Sequence, residues 1–436
     1  MATLKLTSDN KDFSFVIKKN PSSGMIAKSI RKGTAFGWYS EENTYCVAFF
    51  DGMDELSFAK KRNEEFAFID RTRYNAPLFI SVAIREFFQT ALKNSDNEKD
   101  TLSKNFIEVS SVEIERFPLF QKIISCFNGF KVEALPLKQE ENYDNYSLKI
   151  STENKTIYEL LNFAYLLGYL IAICSKVEFQ TEQSIIKRLV DASNLLNAPY
   201  YVKYLIKARC IHSFEDFKKV KDALNFSTEN KLDFCPDTNT NARFNWIKNK
   251  IYRDIDILDF GCGEGRFFPL SKNIASSTYY AVDKDERARD AAKKSVVRRE
   301  YDNIIILQNL SEFLQMETGR DFLVIMSEVF EHNELEKIEK ILQKIMENQN
   351  CNEILLTTPN KDFNKFYFLG ENELRHDDHI FEMTQNEVKN YFESLTKNTN
   401  FQCKFYELGD KVDNVCAIIG VTLTRKSGET QFTEAS

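Results

Sequence analysis

Residues Asp259 to Gly265 read DFGCGEG, and this loop constrains the fold more than any other feature of the chain. Glycine stands at 261, 263 and 265, directly after Asp256–Phe260 (DILDF), which reads as a strand. A residue without a Cβ lets the backbone turn sharply and approach a ligand closely. The dinucleotide fingerprint, G-x-G-x-x-G, sets its third glycine one residue further on, so this loop is a different, tighter form. Beyond the loop, strands and helices alternate. Thr278–Asp283 reads as a strand, Glu286–Arg299 as a helix, Asn303–Gln308 and Asp321–Met326 as strands, Leu335–Asn348 as a helix and Glu353–Thr357 as a strand. Elements in this order predict an α/β domain with a parallel, doubly wound sheet.

Asp283 ends the second of these strands, 22 residues after Gly261. A carboxylate about 20 residues beyond a glycine loop commonly accepts hydrogen bonds from ribose hydroxyls. Gln308, Asn309 and Leu310 follow the third strand, where adenine contacts are expected. The D-x-G-x-G-x-G pattern resembles motif I of class I methyltransferases. That resemblance implies S-adenosylmethionine as the methyl donor, with Asp259, Gly261, Gly263, Gly265, Asp283 and Asn309 around it.

The chain has four histidines, His212, His332, His376 and His379, and three of them lie between 332 and 379. Glu328, Glu331 and His332 begin where the fourth strand ends, and ligands of open α/β sheets bind beyond the carboxyl ends of the strands. Their spacing, i, i+3 and i+4, shares one face if the turn is helical. A histidine from Arg375–His379 can complete such a set. Carboxylates favour Mg²⁺, and imidazoles admit Mn²⁺ or Co²⁺. Taken singly, each of these residues is ordinary surface charge or a loop histidine. Their joint placement downstream of a cofactor loop points to a ligand set.

Three segments together, SEVFEH at 327–332, TTPNKDFN at 357–364 and RHDDHIFEMT at 375–384, resemble the 3′-terminal RNA ribose 2′-O-methyltransferases. The resemblance covers about 180 residues of the C-terminal half. It implies methylation of the 2′-hydroxyl at an RNA 3′ end with free 2′- and 3′-hydroxyls. It also implies a metal, Mg²⁺ with Mn²⁺ or Co²⁺ as alternatives, held by Glu328, Glu331, His332 and His379. Met383 stands where that family usually has Trp, and Asp362 where it has Glu. His376 is a spare imidazole nearby. A weaker resemblance, at Asp70–Leu92, reaches the N-terminal domain of the bacterial members, which are partnered with a polynucleotide kinase–phosphatase–ligase in RNA repair.

At 436 residues the chain exceeds one ordinary core. The polar stretch Phe226–Arg243 reads as a linker, which predicts an N-terminal α+β domain over 1–240 and the methyltransferase domain over 241–436. In the first, Thr44–Phe50 and Lys131–Leu137 read as strands and Leu78–Leu92 as an amphipathic helix. The apolar run Leu160–Ser175 is shorter than the roughly 20 residues a bilayer needs, so a core helix is expected and no membrane. The N-terminus lacks a signal-peptide core. Nine dispersed cysteines without a C-x-x-C pair argue against zinc ribbons and fit a reducing cytoplasm. A net charge of −7 limits any RNA contacts to few and local ones. Two other readings stay open from residues alone. One is a metal-independent methyltransferase of a small molecule or protein, and the other is a non-catalytic RNA-repair scaffold.

Overall fold

A computed structural model describes the chain apart from residues 1, 31–32, 51–75, 138–144, 176, 178, 180, 252–253, 275, 317–318 and 427–436. Two compact units divide it, Met1–Glu229 and Asn230–Ser436.

Among the described residues, the first unit has strands β1 (Ala2–Ser8), β2 (Ile26–Ile30), β3 (Gly33–Glu41), β4 (Thr44–Phe50), β5 (Ser103–Glu113), β6 (Lys131–Pro136) and β7 (Asn145–Lys155). Its helices are α1 (Phe13–Ile17), α2 (Leu78–Phe87), α3 (Phe117–Ile124), α4 (Ile157–Cys174), α5 (Gln183–Leu195), α6 (Tyr200–Cys210) and α7 (Phe214–Asn225). The strands form one sheet in the order β2-β3-β4-β1-β5-β7-β6, antiparallel throughout. In β1, Leu4 and Leu6 face inward while Thr3, Lys5 and Thr7 are half-exposed, the two-residue period of a sheet with one buried face.

Helix α4 is the centre of this unit. Thr156 and Glu159 form a capping box at its start, each side chain serving the other's backbone N–H. Apart from Tyr158 and Glu159, every residue of α4 is buried. The helix is long and apolar enough to cross a membrane, but protein already covers it on all sides, so it is a core helix. Ser81 of α2 donates to the Tyr165 carbonyl at 2.7 Å, and a Cβ on Gly168 would collide with that same Ser81. The expected helix Leu78–Leu92 stops at Phe87, and residues 70–75 of the segment Asp70–Leu92 lie outside the described ones.

The second unit has strands β8 (Leu232–Asp233), β9 (Asp256–Phe260), β10 (Tyr279–Val282), β11 (Ile304–Leu307), β12 (Phe322–Ser327), β13 (Cys351–Pro359), β14 (Phe401–Val412) and β15 (Val415–Arg425). Its helices are α8 (Asn239–Lys248), α9 (Glu286–Arg299), α10 (Leu310–Gln315), α11 (Leu335–Glu347) and α12 (Gln385–Thr396). The sheet order is β11-β10-β9-β12-β13-β15-β14-β8. The first five of these strands are parallel, and β15, β14 and β8 run antiparallel. The five parallel strands stand where the alternating sequence predicts them.

Both faces of this sheet are covered. Phe322, Val324 and Met326 of β12 enter one core with Ile338, Leu342 and Ile345 of α11. Leu323 and Ile325 enter the other with Trp246 and Ile247 of α8. Strands buried on both faces read as unbroken apolar runs, which is why they were legible. The order reverses between β9 and β12, and that switch point opens the crevice where ligands of such sheets bind.

The stretch Phe226–Arg243 corrects the sequence reading, because it is not a free linker. It holds β8 and the start of α8, and β8 pairs with β14. Asp413 and Asn414, with φ of 50° and 65°, make the tight turn between β14 and β15. The Asp413 carboxylate accepts from Lys231 N–H and from Asn230 Nδ2, both at 2.8 Å.

Candidate active site

The loop after β9 is shaped by its glycines. Gly261 and Gly265 have φ of 81° and 87°, which L side chains rarely adopt. A Cβ on Gly261 would collide with Val329, and one on Gly265 with the Phe268 ring. The loop after β9 therefore lies directly against the loop after β12. Asp283, one residue beyond β10, turns its carboxylate to this loop. One oxygen accepts from Gly263 N–H at 2.8 Å and the other from Asp285 N–H at 2.9 Å.

The other sequence candidates for the donor site stand differently. Asp259 is 2% exposed and accepts from the Tyr279 hydroxyl at 2.8 Å. Burial, reinforced by the charge of Asp283, pushes its carboxyl up to about 7. Asn309 is exposed and caps α10, its side chain accepting from Glu312 N–H at 3.1 Å.

The acidic segment departs from the expected helical turn. Glu328 has φ of 60°, and only Phe330–His332 winds, as a short 3₁₀ turn. Glu331, His332 and His379 do converge, with one ligand atom from each all within 4.8 Å of one another. Glu328 stands outside that group, its carboxylate against the guanidinium of Arg243 from α8. Burial lowers that guanidinium to about 10.

Each member of the cluster is held from behind. Glu331 is fully buried, accepts from the Thr358 hydroxyl at 3.2 Å, and through its backbone carbonyl accepts from Ile380 N–H at 2.8 Å. Burial pushes its carboxyl up to about 7, against the pull of Thr358 and Arg243. His332 Nδ1 lies 3.0 Å from the Asp378 carbonyl oxygen. A carbonyl only accepts, so Nδ1 carries the proton and Nε2 is left for a ligand. His379 Nδ1 lies 2.5 Å from a carboxylate oxygen of Glu382, and the two imidazole rings are 4.7 Å apart, edge to face.

Two buried atoms in the cluster have no hydrogen-bond partner, Glu331 Oε1 and His379 Nε2. Buried polar groups are normally paired, and each exception calls for an explanation. A carboxylate oxygen and two imidazole nitrogens with free lone pairs are ligands a divalent cation accepts. The residues present therefore fit such an ion.

Several residues that hold the site are not apparent from single positions. Thr358, Asn364 and Glu382 all sit inside the segments TTPNKDFN and RHDDHIFEMT, so the signal is present in the sequence without a role attached. Arg375 opens the second of these. It donates to Asn364 Oδ1 at 2.7 Å and to the Ala417 carbonyl at 2.8 Å, and clamps the loop rather than lining the cluster. Arg243 has no local signal. His376 is exposed, its ring 5.2 Å from that of His379.

Comparison with known proteins matches each of the two units to a family model. Residues 3–229 match the family model of the Hen1 N-terminal domain, and residues 257–348 that of a methyltransferase domain. A small RNA 2′-O-methyltransferase of Drosophila melanogaster is 29% identical over 149 residues, which is 31% of this chain and 38% of the fly protein. The match thus spans less than half of that relative. A chain in a solved structure of a Pnkp1/Rnl/Hen1 RNA repair complex superposes with a TM-score of 0.79 at 23% identity, covering 97% of this chain and 100% of the other. A chain from a second Pnkp1/Rnl/Hen1 structure gives 0.76 at 24% identity, again covering 97% and 100%. Likeness at such identities carries the fold. The family model spans just over half of the sequence, and a methyltransferase domain built on a tight glycine loop follows it. The chain belongs to the Hen1 family, with an S-adenosylmethionine-dependent methyltransferase domain as its C-terminal unit.

Proposed function

We propose that this protein transfers the methyl group of S-adenosylmethionine to the 2′-hydroxyl of the 3′-terminal nucleotide of RNA, in RNA repair or end protection. The observation that carries this reading is the cluster of buried Glu331 and His379 with half-buried His332, set beyond β12 next to the glycine loop that follows β9.

Asp283 and the Gly261–Gly265 loop hold the donor. A ribose hydroxyl is a weak nucleophile; Glu331, His332 and His379 would hold a divalent ion, which would supply Lewis acidity beside that hydroxyl. Glu328 is the fourth proposed ligand. Its carboxylate is paired with Arg243, so joining the set means exchanging that guanidinium for the ion. Thr358 and the backbone of Ile380 orient Glu331, and the Asp378 carbonyl orients His332. Placing donor and acceptor on two loops in contact makes the transfer effectively unimolecular, which supplies much of the acceleration. Mg²⁺ is the proposed ion, with Mn²⁺ or Co²⁺ as alternatives.

For the first unit we propose docking to a kinase–phosphatase–ligase partner. The match to the Hen1 N-terminal domain and the solved complexes that hold Pnkp1 and Rnl beside Hen1 support this. The deciding experiment is transfer of labelled methyl from S-adenosylmethionine to a short RNA. Label on RNA with a ribose 3′ terminus and none on the same RNA ending in a 2′-deoxynucleotide is the expected result. Equal labelling of both places the methyl elsewhere and removes the proposal.

A further inference from the structure

The carboxylate of Glu382 is fully buried, and it is fully used. One oxygen lies 2.5 Å from His379 Nδ1 and also accepts from Arg375 N–H at 2.8 Å. The other accepts from Asn364 Nδ2 at 2.6 Å. The side chains of His379 and Glu382 are 1% and 0% exposed, so water does not compete for the bond between them. On the far side of the same imidazole, Nε2 is buried, lacks a partner, and belongs to the cluster with Glu331 and His332.

We propose that Glu382 is a positioning residue that acts through His379. A carboxylate with two neighbouring N–H groups already pointed at it is an acceptor, so it fixes the proton of the imidazole on Nδ1. The Nε2 lone pair is then left free, in a residue that clusters with Glu331 and His332. Free imidazole side chains exchange tautomers, and the wrong one would present an N–H to the cluster in place of a ligand atom. Outer partners of this kind orient ligating histidines and raise their basicity, and losing one typically costs about 10- to 100-fold in metal affinity. The inference rests on the proposed metal reading, yet half of its test needs no metal.

The test uses the full chain with ¹⁵N-labelled histidine. In metal-free protein above the titration range of imidazole, two-bond ¹H–¹⁵N correlation spectra report which nitrogen carries the proton. Wild type should show His379 protonated at Nδ1. Glu382→Ala should move it to a tautomer mixture and weaken Mn²⁺ binding, followed by paramagnetic resonance, by about 10- to 100-fold. S-adenosylmethionine affinity should stay the same. Glu382→Gln keeps the volume and can still accept, so it should retain the Nδ1 proton with a smaller loss. It also carries the test if Glu382→Ala does not fold. Asn364→Ala removes a different Glu382 contact and should leave the tautomer unchanged. A folded Glu382→Ala protein with an unaltered tautomer and unaltered Mn²⁺ affinity overturns the proposal. Wild type that binds no Mn²⁺ overturns the metal reading instead, and the tautomer result then decides the role of Glu382 separately.

Discussion

The amide of Gly263 donates to the carboxylate of Asp283 across 2.8 Å, tying the loop after β9 to the end of β10. The second oxygen of Asp283 accepts from Asp285 N–H, so the carboxylate is held through both oxygens. Asp283→Ala should therefore weaken S-adenosylmethionine binding by about 1.5–3 kcal/mol, the scale of a hydrogen bond to a charged group. Titration calorimetry measures it. Unchanged affinity would remove Asp283 from the donor site.

Asp259 predicts a pH dependence of stability. Its carboxyl is raised to about 7 in the fold by burial, from an ordinary value of 3.8. The fold thus prefers the neutral acid. That contribution is fully present below the unfolded value and is lost as pH rises through about 7. Asp259→Asn should flatten the fall in stability between roughly pH 4 and 7. The change is a few kcal/mol at most, since each tenfold change in proton affinity is worth about 1.4 kcal/mol. Urea unfolding at both ends of the window reads the difference. A variant with the wild-type slope assigns the pH dependence to other groups.

The cluster of Glu331, His332 and His379 predicts that chelator abolishes methyl transfer but leaves donor binding intact. Activity should return with Mn²⁺ or Co²⁺ at lower concentration than with Mg²⁺, because imidazole ligands and the divalent affinity order favour them. An RNA ending in a 3′-phosphate should react poorly. Full activity in excess chelator contradicts the metal reading, and equal methylation of the 3′-phosphorylated RNA contradicts the need for a free 3′-hydroxyl.

The second unit starts at Asn230, and this matters for truncation. Leu232 and Phe234 are 6% and 1% exposed, and Cys235 N–H donates to Asp410 at 2.9 Å. A fragment from residue 230 should fold and melt well above one from residue 240. Losing a buried Phe alone typically costs about 3–5 kcal/mol. Thermal unfolding of the two fragments compares them, and equal melting temperatures would show that β8 adds nothing.

The sequence alone determined the parallel half of the sheet and the glycine loop. Both are local. Strands buried on two faces leave apolar runs, and a backbone that must adopt positive φ leaves glycines at 261, 263 and 265. Asp283 was legible for the same reason, as a carboxylate at a strand end. The antiparallel strands were harder to read. Strands β1, β5 and β7 carry half-exposed or exposed polar residues on one face, and β1 pairs with β4 and β5, which lie far along the chain.

Only the tertiary structure decided how the cluster is built. His332 and His379 are 47 residues apart, and they meet because Ile380 N–H is bound to the Glu331 carbonyl. The spacing of Glu328, Glu331 and His332 suggested one helical face, but the positive φ of Glu328 and its pairing with Arg243 set it apart. No local pattern encodes that pairing, because Arg243 reaches Glu328 from α8, 85 residues earlier in the chain. Burial likewise belongs to the assembled fold. The same carboxylate is surface charge on an isolated turn and, in the assembled fold, is enclosed with no partner for Oε1.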